Sequence, residues 1–308
     1  TDTKTTLAPE VVAILFNDED SKKVNLDESK GLVEGSAINF YGEGITANEV
    51  EAFYKAIKPV DKNRPYSYGL NSKLVKNASG KLEEKVWKSG GMYGAAIDKV
   101  IFWLEKAKTV AENQKQEHAL GMLIQYYKTG DLKTWDDYNI AWLQSTEGNI
   151  DYINGFVEVY NDPLGARGSY ESVVQIKDFD MSAKMEKIGH EAQWFEDNSP
   201  LDPKHKKKKV VGISYKTVIV AGEGGDSSPS TPIGVNLPNA DWIRAEHGSK
   251  SVSLGNIVEA YNNAGGSDRL KEFANDEEEI ALEEKYGRDA DKLHTALHEV
   301  VGHASGQI

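Results

Sequence analysis

Six residues near the end of the chain, His298-Glu-Val-Val-Gly-His303, constrain its local fold more than any other segment. Two histidines bracket a glutamate, and histidines ligate a common metal when they share one helix face. On a regular α-helix that sharing needs a spacing of three or four residues. Here the spacing is five. At about 3.6 residues per turn, five steps rotate by about 500°, leaving the two rings about 140° apart. A helix that brings both to one ion must absorb one extra residue, as a π-type bulge near Gly302. Glycine accepts such a distortion at little steric cost.

When H-E-x-x-H lies on a helix, the two histidines hold zinc and the glutamate is a general base. By the same logic His298 and His303 are the candidate zinc ligands, and Glu299 is the candidate base that takes a proton from water. The competing reading is two ordinary histidines in a helix. His294 offers a second pairing: it lies four residues before His298, on the same face, but His294-Thr-Ala-Leu-His298 lacks the adjacent glutamate. A catalytic zinc normally takes three protein ligands. Nothing upstream supplies the third convincingly, so it is expected beyond Ile308. The chain then reads as most of one lobe of a zinc peptidase, cut inside its active site.

The composition excludes several classes. A net charge of −13 argues against nucleic-acid binding, which needs a basic surface. The absence of cysteine removes disulfides and thiolate metal sites. No apolar run of about eighteen residues is present to span a membrane. The chain opens Thr1-Asp-Thr-Lys without an initiator Met, so it reads as beginning in mid-protein, and a cytoplasmic location is expected with export left open. At 308 residues it holds two domains or one large one.

The periodicities predict a mixed α+β chain. Ala8–Phe16 reads as a helix and Ala37–Tyr41 as a strand. Thr46 and Glu49 form a capping box for the next helix. An extended stretch from Pro65 to Lys76, a turn at Asn77–Gly80 and Leu82–Lys88 predict a hairpin. Met92–Asn113 reads as a helix with Ala96, Val100, Trp103, Leu104 and Ala107 on one face. Helices over Gln114–Lys128 and Leu132–Gln144 follow, then a fourth segment over Asp151–Tyr160, with Tyr160 at its end. Downstream, Tyr170–Ile176, Val210–Ala221 and Ile233–Leu237 read as strands. Ser182–Phe195, Val252–Asn262, Arg269–Tyr286 and Asp289–His303 read as helices, and Gly222–Pro232 as a loop. The runs Lys204–Lys209 and Asp276–Glu279 read as solvated surface.

His-Glu-x-x-Gly-His-x-Ser-Gly resembles the signature of the dipeptidyl peptidase III family, zinc exopeptidases. Three further segments resemble that family in order: Asn154-Gly-Phe-Val-Glu158-Val-Tyr160-Asn-Asp-Pro163-Leu-Gly-Ala-Arg167-Gly, Pro232-Ile-Gly-Val-Asn236-Leu-Pro-Asn239 and Ser251-Val-Ser-Leu-Gly-Asn256. The upstream part is similar to bacterial members. Ala304 and Gln307 depart from the family's usual Gly and Lys.

The resemblance implies a Zn²⁺ cofactor and the release of dipeptides from short peptides with a free N-terminus. It assigns Tyr160 to the oxyanion and Glu158 to the substrate ammonium. Asn236 and Asn239 would bind the N-terminal residue, and the strand containing Gly234 would pair with the peptide backbone. The bland alternatives are a core tyrosine, a solvated glutamate and turn-forming asparagines. The implied fold is two-lobed. Residues 1–177 and 216–265 would form a lobe with a small β-barrel and helices. Residues 178–215 and 266–308 would begin a mainly helical lobe holding the zinc motif. The alternative function is a non-catalytic peptide-binding lobe.

Overall fold

The structure is a computed structural model, and it describes residues 8–17, 23–57, 61–210, 213–228, 231–264, 266–302 and 306. Contacts divide it into two compact units. The first comprises described residues up to 57, with 69–85 and 158–168; the second comprises the remainder.

The first unit contains α1 (Pro9–Leu15), α2 (Ala47–Lys55) and the hairpin of β1 (Ser72–Lys76) and β2 (Leu82–Val86) up to residue 85. The capping box forms as predicted: Thr46 Oγ1 accepts from Glu49 N, and Glu49 accepts from Thr46 N. Val33, Tyr41, Ile45, Val50 and Leu74 make the apolar core. Ala37–Tyr41 does not form the expected strand. It pairs at one bridge, Tyr41 with Leu74, because the chain turns away at Gly44, whose φ is +69°.

The second unit begins with three helices, α3 (Gly94–Lys108), α4 (Gln114–Thr129) and α5 (Leu132–Gln144). Asn113 and Asp131 cap α4 and α5 through their side chains, and Gly130 ends α4 in the left-handed conformation. On α3 the buried row is Ile97, Ile101 and Leu104, while Trp103 is 69% exposed. The predicted face was rotated because this helix is apolar on both sides. Burying two isoleucines removes more apolar area from water than burying alanines.

A five-stranded sheet follows, of β3 (Ile150–Phe156), β4 (Tyr170–Lys177), β5 (Ile213–Gly225), β6 (Gly234–Leu237) and β7 (Ser249–Leu254). The order is β3-β4-β5-β7-β6, antiparallel except for the parallel β5–β7 pair. The fourth segment is thus strand β3, and Tyr160 lies in a turn beyond it rather than at a helix end. Gly155 is required within β3: a Cβ there would stand 2.5 Å from the Trp135 ring. β7 is buried at all six positions. A strand covered on both faces shows no alternation, which is why Val252–Asn262 read as one helix; the helix α9 (Gly255–Ala264) starts only after it.

The expected small barrel is absent among the described residues. The sheet is open, with β3 and β6 as its edges. The β3 edge is occupied by helix side chains: Gln116 Nε2 donates to Ile150 O and Trp142 Nε1 donates to Tyr152 O. Those carbonyls are therefore satisfied without another strand.

The remaining helices are α6 (Phe179–His190), α7 (Ala192–Asn198), α8 (Asp241–His247), α10 (Gly266–Phe273), α11 (Glu277–Leu282) and α12 (Arg288–Leu297). Ser182–Phe195 is split at Glu191, and Asp178 starts α6 earlier by accepting from Met181 N. Arg269–Tyr286 is broken where Asp276 caps α11. Among the described residues no helix is long and apolar enough to cross a membrane.

Candidate functional site

Helix α12 runs directly into a π-helical turn, His298–Gly302. The π ring closes i to i+5 and so inserts one residue into the helix, the register change that a five-residue histidine spacing demands. The glycine is not there to avoid a clash, since a Cβ on Gly302 would meet nothing within 4 Å. A second π turn, Glu283–Gly287, precedes α12. His298 is exposed, as is His294 one turn earlier. Glu299 contributes backbone to the π turn, and His303 lies outside the described residues.

The π turn packs against β5, β6, β7 and α7. That contact brings the His298 segment to the strand carrying Gly234 and Asn236. Among the described residues β6 pairs only with β7, so its other side is a sheet edge. Asn236 faces Ser251 across the pair, and its Nδ2 donates to Ser251 Oγ and to Ser249 Oγ. Its Oδ1 is buried and has no hydrogen-bond partner among the described residues. Asn239 is exposed and follows the cis Leu237–Pro238 bond.

Glu158 and Tyr160 belong to the first unit. Glu158 is half-buried and Tyr160 is 77% exposed. Their loop is held by two residues that the sequence reading passed over. Asp162 accepts from the backbone N–H groups of Leu164, Ala166 and Arg167 and from the Tyr41 hydroxyl at 2.8 Å. Arg167 is 0% exposed. It donates to the hydroxyls of Tyr41 and Tyr54, and its guanidinium lies 4.4 Å from the Tyr41 ring centroid. Burial raises both tyrosine hydroxyls well above their usual range, so they stay protonated. Both residues stand inside the Asn154–Arg167 motif, where a buried arginine is indistinguishable in sequence from a surface one.

The zinc implied by the resemblance suits the donors present. Imidazole nitrogen is a donor that zinc accepts, and His298 stands at the start of the π turn; its expected partner lies outside the described residues. Among the described residues no three His, Asp or Glu side chains gather into a metal cluster; His303 is not among them.

A profile of peptidase family M49 matches residues 36–308. The chain is 31% identical to dipeptidyl peptidase 3 of Rattus norvegicus over 218 residues, covering 71% of this chain and 29% of that protein. Two solved structures share its fold. Dipeptidyl-peptidase III from Corallococcus sp. strain EGB aligns with a TM-score of 0.73 at 22% identity, covering 87% of this chain and 48% of that one. DPP III from Caldithrix abyssi aligns with a TM-score of 0.71 at 24% identity, covering 87% and 49%. The chain thus spans about half the length of these solved structures and 29% of the curated relative. The profile match over most of the chain, together with the ordered motifs, places this chain in the dipeptidyl peptidase III family, peptidase family M49.

Proposed function

We propose that the chain carries the zinc-ligating and N-terminus-recognising parts of an exopeptidase that releases dipeptides from short peptides. The observation that carries this reading is the π turn at His298–Gly302 packed against the edge strand β6. His298 and His303 would hold the zinc, which when bound would supply Lewis-acid polarisation of a carbonyl and a more acidic water. Glu299 would accept a proton from the attacking water. Tyr160 donates a hydrogen bond to the oxyanion that develops.

Specificity for a free N-terminus follows from charge. Glu158 pairs with the substrate ammonium, which an internal peptide bond lacks. The peptide backbone adds to the free edge of β6 along Gly234–Asn236. The unpaired Oδ1 of Asn236 accepts from the N-terminal residue, and Asn239 adds a second contact. In the whole protein, residues 1–177 and 216–265 would form one lobe, and 178–215 with 266–308 the start of a helical catalytic lobe.

The full-length protein, supplemented with zinc and given an unblocked peptide, should release N-terminal dipeptides in steps, read by mass spectrometry, while residues 1–308 alone are expected to be inactive. Glu299→Gln should keep zinc and lose turnover; retained turnover would refute the mechanism. A second reading is peptide binding without cleavage, which the edge strand β6 would support with or without metal. That reading requires free N-termini to bind better than acetylated ones.

A further inference from the structure

Glu196 on α7 is 0% exposed, yet no role assigned above uses it. Three backbone N–H contacts from two distant segments meet its carboxylate. Lys207 N donates to Oε1 at 2.6 Å. Gly306 N donates to Oε2 at 2.9 Å and to Oε1 at 3.2 Å. A carboxylate is buried at this depth only when donors replace its lost water. Here every donor is main chain, so the side chain acts as a staple between α7, the segment after Pro203, and the chain beyond the metal motif.

The staple's location gives it a function. Gly306 lies three residues past His303. On the other side of the motif, Ala192 of α7 packs with Ala296, two residues before His298. Between these points α7 touches the π turn itself. One short helix therefore grips the motif before, along and after its π distortion. A π turn is less favourable than the α-helix it interrupts, and it persists only where its surroundings hold it.

We propose that Glu196 is a positioning residue for the metal motif, stapling the chain beyond His303 so that the π turn keeps its metal-ready form. The proposal rests on the reading of His298 and His303 as ligands.

The test compares the chain with Glu196→Gln, Glu196→Ala and His298→Ala. Glutamine keeps the shape but puts an NH2 donor where one carboxylate oxygen accepts, facing a backbone N–H donor, so the three contacts of the carboxylate cannot all be kept. Zinc affinity is measured by competition with a chromophoric chelator. Hydrogen exchange of the peptide spanning 298–306 and the melting temperature are measured without metal. Glu196→Gln should weaken zinc binding about tenfold, the scale of indirect support to a metal site. It should also speed exchange over 298–306 with little change in melting temperature. Unchanged exchange there, or unchanged zinc affinity in a chain that binds zinc through His298, overturns the proposal. If the unaltered chain binds no zinc, or His298→Ala binds equally well, the ligand reading fails instead, and the exchange data still decide whether the staple exists.

Discussion

Asn236 on β6 stands directly across from Ser251 on β7, and its side-chain amide donates to the serine hydroxyl. The amide carbonyl is left buried without a partner among the described residues. Leaving such an acceptor unpaired costs about 1–3 kcal/mol, which, in the proposed reading, a substrate N–H would offset.

Asn236→Ala is therefore expected to reduce affinity for peptides with a free N-terminus by about tenfold, the scale of one hydrogen bond to a charged group. The variant also loses the two hydrogen bonds that Nδ2 donates to Ser249 and Ser251, so its melting temperature is measured alongside to separate a loss of stability from a loss of binding. Titration of matched free and acetylated peptides checks this, and an equal loss for both would assign Asn236 to packing alone.

Arg167 lies on Tyr41 and binds the hydroxyls of Tyr41 and Tyr54, with Asp162 nearby. Arg167→Met leaves Asp162 buried without its cation. The expected destabilisation is about 3–5 kcal/mol, read from urea unfolding. A smaller loss for Asp162→Asn/Arg167→Met together than for Arg167→Met alone would confirm that the two charges act as a pair.

Asp136 is 3% exposed, and its Oδ2 lacks a partner among the described residues. Burial is the main cause that pushes its carboxyl up to about 7. The folded state thus holds this proton more tightly than the unfolded chain. The stability that this proton contributes is complete below the usual carboxylate range, near pH 4. It is lost as pH rises towards 7. Asp136→Asn should flatten that decline, visible as a smaller drop in melting temperature between about pH 5 and about pH 8.

Gly155 carries the Trp135 ring against its Cα. Gly155→Ala should destabilise the second unit by about 1–3 kcal/mol through overpacking. The smaller ring in Gly155→Ala/Trp135→Phe should restore part of that loss in thermal melts.

Local sequence determined the features whose causes are local. The Thr46–Glu49 capping box, the Asn77–Gly80 turn and the helices α4 and α5 all depend on neighbours within a few residues. The π turn is legible in part: a five-residue histidine spacing calls for a one-residue insertion if both rings are to share one metal, while the contacts of α7 and the sheet with the turn are tertiary. Tertiary structure alone decided what depends on distant partners. Helix α3 has two apolar faces, and only packing selects Ile97 and Ile101 over the Trp103 side. Strand β7 is buried on both faces, so it has no alternation to read. Arg167, Glu196 and the unpaired oxygen of Asn236 owe their meaning to burial and to donors far away in the chain. Burial and long-range hydrogen bonding are properties of the folded arrangement, and a linear pattern of residue types does not contain them.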